Sequence, residues 1–151
     1  MVIGNFCKGI LFMKKSLLKW AVIFHAIMYS VSLLYIGYSF GITALLPYPN
    51  GPELFIFPAA DLILLIIGLS LFNNREYGKS KSYLTMGIVT LVFGSLKLGI
   101  RLFCYCQGMM DGASEYVDFF VYPIAAFCLY FIISIIYFVC FAIMSKENQK
   151  F

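Results

Sequence analysis

Charged side chains are scarce in this chain: Asp, Glu, Lys and Arg make up 12% of its 151 residues, where a soluble domain carries roughly 25%. That excludes an ordinary soluble fold. There is one histidine, His25, so no His-rich metal or haem site can be assembled. The five cysteines, Cys7, Cys104, Cys106, Cys128 and Cys140, are odd in number and irregular in spacing. They form no disulfide framework and read mainly as small apolar residues. Cys104 and Cys106 lack the C-x-x-C spacing of thiol oxidoreductases. Also missing are H-E-x-x-H, a P-loop, a Gly-rich dinucleotide turn and a nucleophilic Ser elbow. No cofactor and no metal is expected, and an enzyme is the least supported class.

What is present is apolar. Hydrophobic residues make up 62% of the chain and fall into four blocks. A helix crossing the hydrocarbon core needs about 20 residues, and the blocks place spans at about 17–42, 54–72, 83–106 and 117–144. The expected fold is an all-α integral membrane protein, a four-transmembrane-helix bundle that forms a single membrane domain over residues 1–151. In lipid every backbone donor and acceptor must be satisfied within its own helix. Residues 1–16 form a short basic lead, read as an amphipathic segment on the membrane surface. The apolar run after it is too long for a signal peptide, so the first span is expected to remain.

Orientation follows from the basic residues. Lys8, Lys14, Lys15 and Lys19 precede or open the first span; Arg75, Lys79 and Lys81 fill the connection between the second and third; Lys146 and Lys150 follow the fourth. The other two connections hold no Lys or Arg. The asymmetry puts both termini in the cytoplasm. The net charge of +4 is thereby explained by topology and by anionic headgroups, which leaves no case for nucleic-acid binding.

Against this background Asp61, Lys97 and Arg101 stand out, because each lies inside a span. A charge at bilayer depth costs at least about 2.5–3.5 kcal/mol and faces a partner, a cavity or a ligand. In the third span Gly87, Thr90, Gly94, Lys97, Arg101 and Cys104 recur at spacings of three and four, on one stripe. Asp61 and Gly68 share a face of the second span. A rise of about 1.5 Å per residue puts Asp61 between Lys97 and Arg101 in depth. An ion pair of Asp61 with either or both cations is expected, with the second and third spans as antiparallel neighbours.

Two cations against one carboxylate leave a positive charge for Asp118, at the mouth of the fourth span, or for a ligand. One reading is an internal salt bridge fixing helix register. The other is a cationic pocket at the outer leaflet for a lipid headgroup or a small anion, with Arg as fork and Lys as point charge. Small residues mark packing faces: Gly68, Gly87 and Gly94, and along the first span Ala26, Ser30, Gly37 and Gly41. The first-span stripe suits packing within the chain, or contact with a second copy or another membrane subunit. His25, Tyr29 and Ser32 form a neighbouring polar stripe, and His25 is expected to hydrogen-bond to an adjacent helix.

The functional expectation is binding, as an accessory subunit of a membrane assembly or as a receptor for a lipid or small anionic ligand. Transport through the Asp/Lys/Arg cluster is the alternative. A membrane enzyme acting on a lipophilic substrate comes third.

Overall fold

Each apolar block folds as one long α-helix in the computed structural model, which describes residues 2–43, 53–74, 80–106 and 122–148. Within these helices the side-chain surroundings of some residues, Arg101 and Gly41 among them, fall outside that description. The helices are α1 (Val2–Thr43), α2 (Glu53–Asn73), α3 (Ser80–Cys106) and α4 (Tyr122–Asn148). There is no strand among the described residues. All four helices are long and apolar enough to cross a membrane, with mean hydropathies of 1.7, 2.0, 1.6 and 2.6 over their candidate spans. This is the pattern of a multi-pass membrane protein. Large apolar side chains such as Leu34, Ile63 and Phe131 lie on the outside of the assembly.

The basic lead is helical from Val2 onwards. It is continuous with α1, which runs unbroken for 42 residues. The reason is chemical: no proline occurs between Val2 and Thr43, so no missing donor interrupts the i→i−4 ladder. Pro123 is the second residue of α4. There its absent N–H removes no intrahelical bond. The expected start of this span at residue 117 lies outside the described residues. Pro58, the sixth residue of α2, is accommodated within the helix.

The buried face of each helix repeats every seven residues. Leu18, His25 and Ser32 line it on α1, Asp61 and Gly68 on α2, Tyr83, Thr90 and Lys97 on α3, and Tyr130, Tyr137 and Met144 on α4. A seven-residue period is the seam of closely aligned helices. Stacked through the interior, these sets make layers about 10 Å apart, two helical turns each.

Neighbour relations differ from those expected of consecutive helices. The contact between α3 and α4 is the most extensive, α1 packs on both α2 and α4, and α2 meets α3 least. Glycine explains the choice. A Cβ on Gly87 would come within 2.7 Å of the Phe138 ring, and one on Gly94 within 2.7 Å of the Tyr130 Cβ, so both glycines admit α4 rather than α2. On α2, Gly68 faces Tyr137, His25 and Val22.

Along the first-span stripe Ala26 is half-buried. Ser30 is exposed and bonds back to its own helix at the Ala26 carbonyl, 2.9 Å away. A Cβ on Gly37 would meet nothing within 4 Å. Gly37 thus meets no other helix among the described residues, and α1 turns its polar residues, His25 and Ser32, inward. Gly41 lies beyond the described side chains.

Candidate functional site

One layer gathers a polar side chain from every helix. Asp61 of α2 is 1% exposed and Lys97 of α3 is 5% exposed. They form an ion pair with Nζ 2.8 Å from Oδ2. Ser32 of α1 donates to the same oxygen at 2.5 Å, and the Tyr130 hydroxyl of α4 donates to Oδ1. The carboxylate thus accepts from three donors on three helices, which is what a buried anion requires. Breaking such a set by removing one charge costs about 3–5 kcal/mol.

The ammonium has a second environment besides the carboxylate. Lys97 Nζ lies 5.4 Å from the Phe57 ring centroid, 5.3 Å from Phe93 and 5.2 Å from Tyr130. All three are within the roughly 6 Å reach of a cation–π contact, which strengthens when desolvated. Ring-to-ring edge contacts hold the cage in shape, Phe57 to Phe93 at 6.2 Å and Phe93 to Tyr130 at 5.6 Å. The Tyr130 and Ser32 oxygens add neutral acceptors at 3.1 and 3.4 Å. Lys97 reaches α2 by the length of its side chain, across the pair of helices that pack least.

Of the residues singled out from sequence, Asp61 and Lys97 are brought together. The side chain of Arg101 and the whole of Asp118 lie outside the described residues. Gly68, Gly87 and Gly94 are buried at close helix approaches. Ser32 belonged to a polar stripe already visible on the first span. Tyr130 was not singled out; its one signal was the seven-residue spacing Tyr130, Tyr137, Met144 down the fourth block.

Towards the end where α1 begins and α4 finishes, a second polar set follows. His25, Tyr83, Thr90 and Tyr137 are each no more than 1% exposed. His25 Nε2, Tyr83 Oη, Thr90 Oγ1 and Tyr137 Oη have no hydrogen-bond partner. The expected bond from His25 to a neighbouring helix is absent; its ring instead lies 6.0 Å from that of Tyr137. An unsatisfied buried polar group costs about 1–3 kcal/mol. Ser134 differs, donating to the Gly87 carbonyl at 2.8 Å.

Lys14 closes this interior. Expected as a topological charge near the membrane surface, it is 2% exposed. Its ammonium sits 2.8 Å from the Met144 sulfur and 5.0 Å from the Tyr83 ring centroid. Cys140 is buried with a free thiol, and Cys128 is free and exposed. Among the described residues no three His, Cys, Asp or Glu side chains gather into a metal-binding group.

Chemically, the arrangement offers one buried carboxylate, a cation with ring and hydroxyl neighbours besides it, and hydroxyl and imidazole groups continuing towards Lys14. Compared with family models, curated proteins and solved structures, the chain matches none.

Proposed function

We propose that this protein is a four-helix bundle of the cell membrane, with both termini in the cytoplasm, that carries protons across the bilayer by protonation and deprotonation of Asp61. The observation that carries the reading is the double environment of Lys97. Most buried ion pairs cannot lose one charge without stranding the other. Here the three rings of Phe57, Phe93 and Tyr130 remain around the ammonium when the carboxylate is neutralised. The step balances simply: Asp61 carboxylate takes one proton from one side and becomes the neutral acid, Lys97 stays an ammonium, and release to the other side restores the carboxylate. Intramembrane ionisable groups mark such paths in transporters.

Reconstitution tests this. Proteoliposomes holding a pH-sensitive dye, with an imposed proton gradient and a potassium shunt for charge, should dissipate the gradient faster than protein-free vesicles. Asp61→Asn should return the rate to background while keeping helical content and a monodisperse elution profile. A wild-type rate equal to that of empty vesicles contradicts the proposal.

One observation favours the binding reading as a second. The contact between α2 and α3 is sparse, and the Phe57 and Phe93 rings, 6.2 Å apart, flank Lys97 between these two helices. An anionic lipid or small anion, or a partner subunit carrying one, would reach the ammonium through this seam. Native mass spectrometry of protein taken directly from its membrane separates the two: a bound anionic molecule lost in Lys97→Met supports binding, and an unliganded chain does not.

A further inference from the structure

The oxygens around Lys97 hold one another in place without it. Ser32 of α1 donates to Asp61 Oδ2 at 2.5 Å and Tyr130 of α4 donates to Oδ1, so the carboxylate alone ties α1, α2 and α4. Each hydroxyl has its hydrogen on Asp61 and keeps its lone pairs for a cation. Lys97 Nζ lies 2.8 Å from Asp61 Oδ2, 3.1 Å from Tyr130 Oη and 3.4 Å from Ser32 Oγ. An ammonium on a carbon chain has three N–H donors and no acceptor, and three acceptors stand around this one. Outside the oxygens come the rings of Phe57, Phe93 and Tyr130, with centroids at 5.4, 5.3 and 5.2 Å. The group that fills this nest arrives from elsewhere: Lys97 extends its four-carbon stem from α3, the helix that meets α2 least. Nest and occupant are separate parts of the structure.

We propose that Asp61, Ser32 and Tyr130, with Phe57 and Phe93, form a binding site for a small primary ammonium ion, in which the Lys97 side chain is a tethered occupant and whose place a free amine of the same kind can take. The chemistry selects the class. Charge comes from the carboxylate, the three acceptors match three N–H donors, and the rings favour a desolvated organic cation. A tetramethylammonium ion has the charge but no N–H to offer. A sodium ion is smaller than an ammonium and needs oxygens closer than 2.8, 3.1 and 3.4 Å. A group held on a short flexible tether acts at an effective concentration in the millimolar range, so in the wild type a free amine competes with Lys97 and binds weakly. The site stands whether or not Asp61 carries protons.

The test uses the full chain in lipid nanodiscs, with methylammonium chloride as the probe. Lys97→Ala removes the tethered ammonium and keeps the oxygens and rings that surround it. Methylammonium should raise the unfolding midpoint of this variant by at least about 2–4 °C, and tetramethylammonium chloride or sodium chloride at the same concentration should not. Wild type, whose own ammonium holds the site, should move less. Lys97→Ala/Asp61→Asn lacks the anion, leaves no charge unpaired and should not respond. Equal shifts with the three salts, or a response in wild type or the double variant as large as in Lys97→Ala, would overturn the site. If Lys97→Ala is too unstable to reach a nanodisc, the yield of monodisperse protein is compared after extraction in methylammonium chloride and in sodium chloride. A higher yield in methylammonium supports the site, and equal yields overturn it. Proton flux enters none of these readings, so failure of the proton-carrying reading leaves them unaffected.

Discussion

Asp61 holds more of this protein together than any other side chain described, because its two oxygens accept from α1, α3 and α4 at once. The consequences can be measured one group at a time. Lys97→Met leaves a buried carboxylate with only hydroxyl donors and should destabilise the protein by about 3–5 kcal/mol in denaturant unfolding in detergent. Tyr130→Phe removes one donor to a charge and should cost about 1.5–3 kcal/mol. Ser134→Ala loses one interhelical bond to a carbonyl, and such bonds in membranes average about 0.6 kcal/mol. The order Lys97, Tyr130, Ser134 is the test. A Ser134→Ala effect as large as that of Lys97→Met would mean that the carboxylate is not the main tie.

For the helices, glycine decides who packs on whom, and the prediction is a contrast among three substitutions. In Gly94→Ala the new methyl meets the Cβ of Tyr130 at 2.7 Å, an atom fixed to the α4 backbone. It should cost about 1–3 kcal/mol, the usual range for overpacking. Gly87→Ala meets the edge of the Phe138 ring, which can turn aside, and should cost less. Gly99→Ala meets nothing within 4 Å and should be neutral or stabilising, since alanine is the better helix former by about 1 kcal/mol. Unfolding of the three variants in one detergent gives the comparison.

Much at this scale was legible beforehand. The four apolar blocks became four helices, and the stripe Gly87, Thr90, Gly94 and Lys97 is buried along α3. Helix partners were not legible. A short connection suggested α2 beside α3, whereas the glycines of α3 admit α4. Nor was the rotation of α1 legible, because Ala26, Ser30 and Gly37 resemble a packing face in sequence as well as His25 and Ser32 do. The burial of polar groups decided it. Lys14 escaped because a lysine before an apolar run is read as a surface charge, and only its contacts with Met144 and Tyr83 place it inside.

The whole molecule is a set of polar layers inside an apolar sleeve, and its direction across the membrane is a prediction from the lysines and arginines. A green fluorescent protein fused after residue 151 should fluoresce, and alkaline phosphatase at the same point should be inactive. Phosphatase fused within residues 107–115 should be active. The reverse pattern would turn the bundle round, with Lys14 at the outer side.

Whether Asp61 acts or only supports can be decided by removing its charge together with that of its partner. The double variant Asp61→Asn/Lys97→Met removes both charges together, so no buried charge is left unpaired, and the protein should stay folded with stability within about 1 kcal/mol of wild type. Its proton flux in proteoliposomes, measured beside the wild type, is the deciding measurement. The proton-carrying account predicts background flux from this folded protein. A double variant that conducts as fast as wild type would contradict it and leave the ion pair a structural tie.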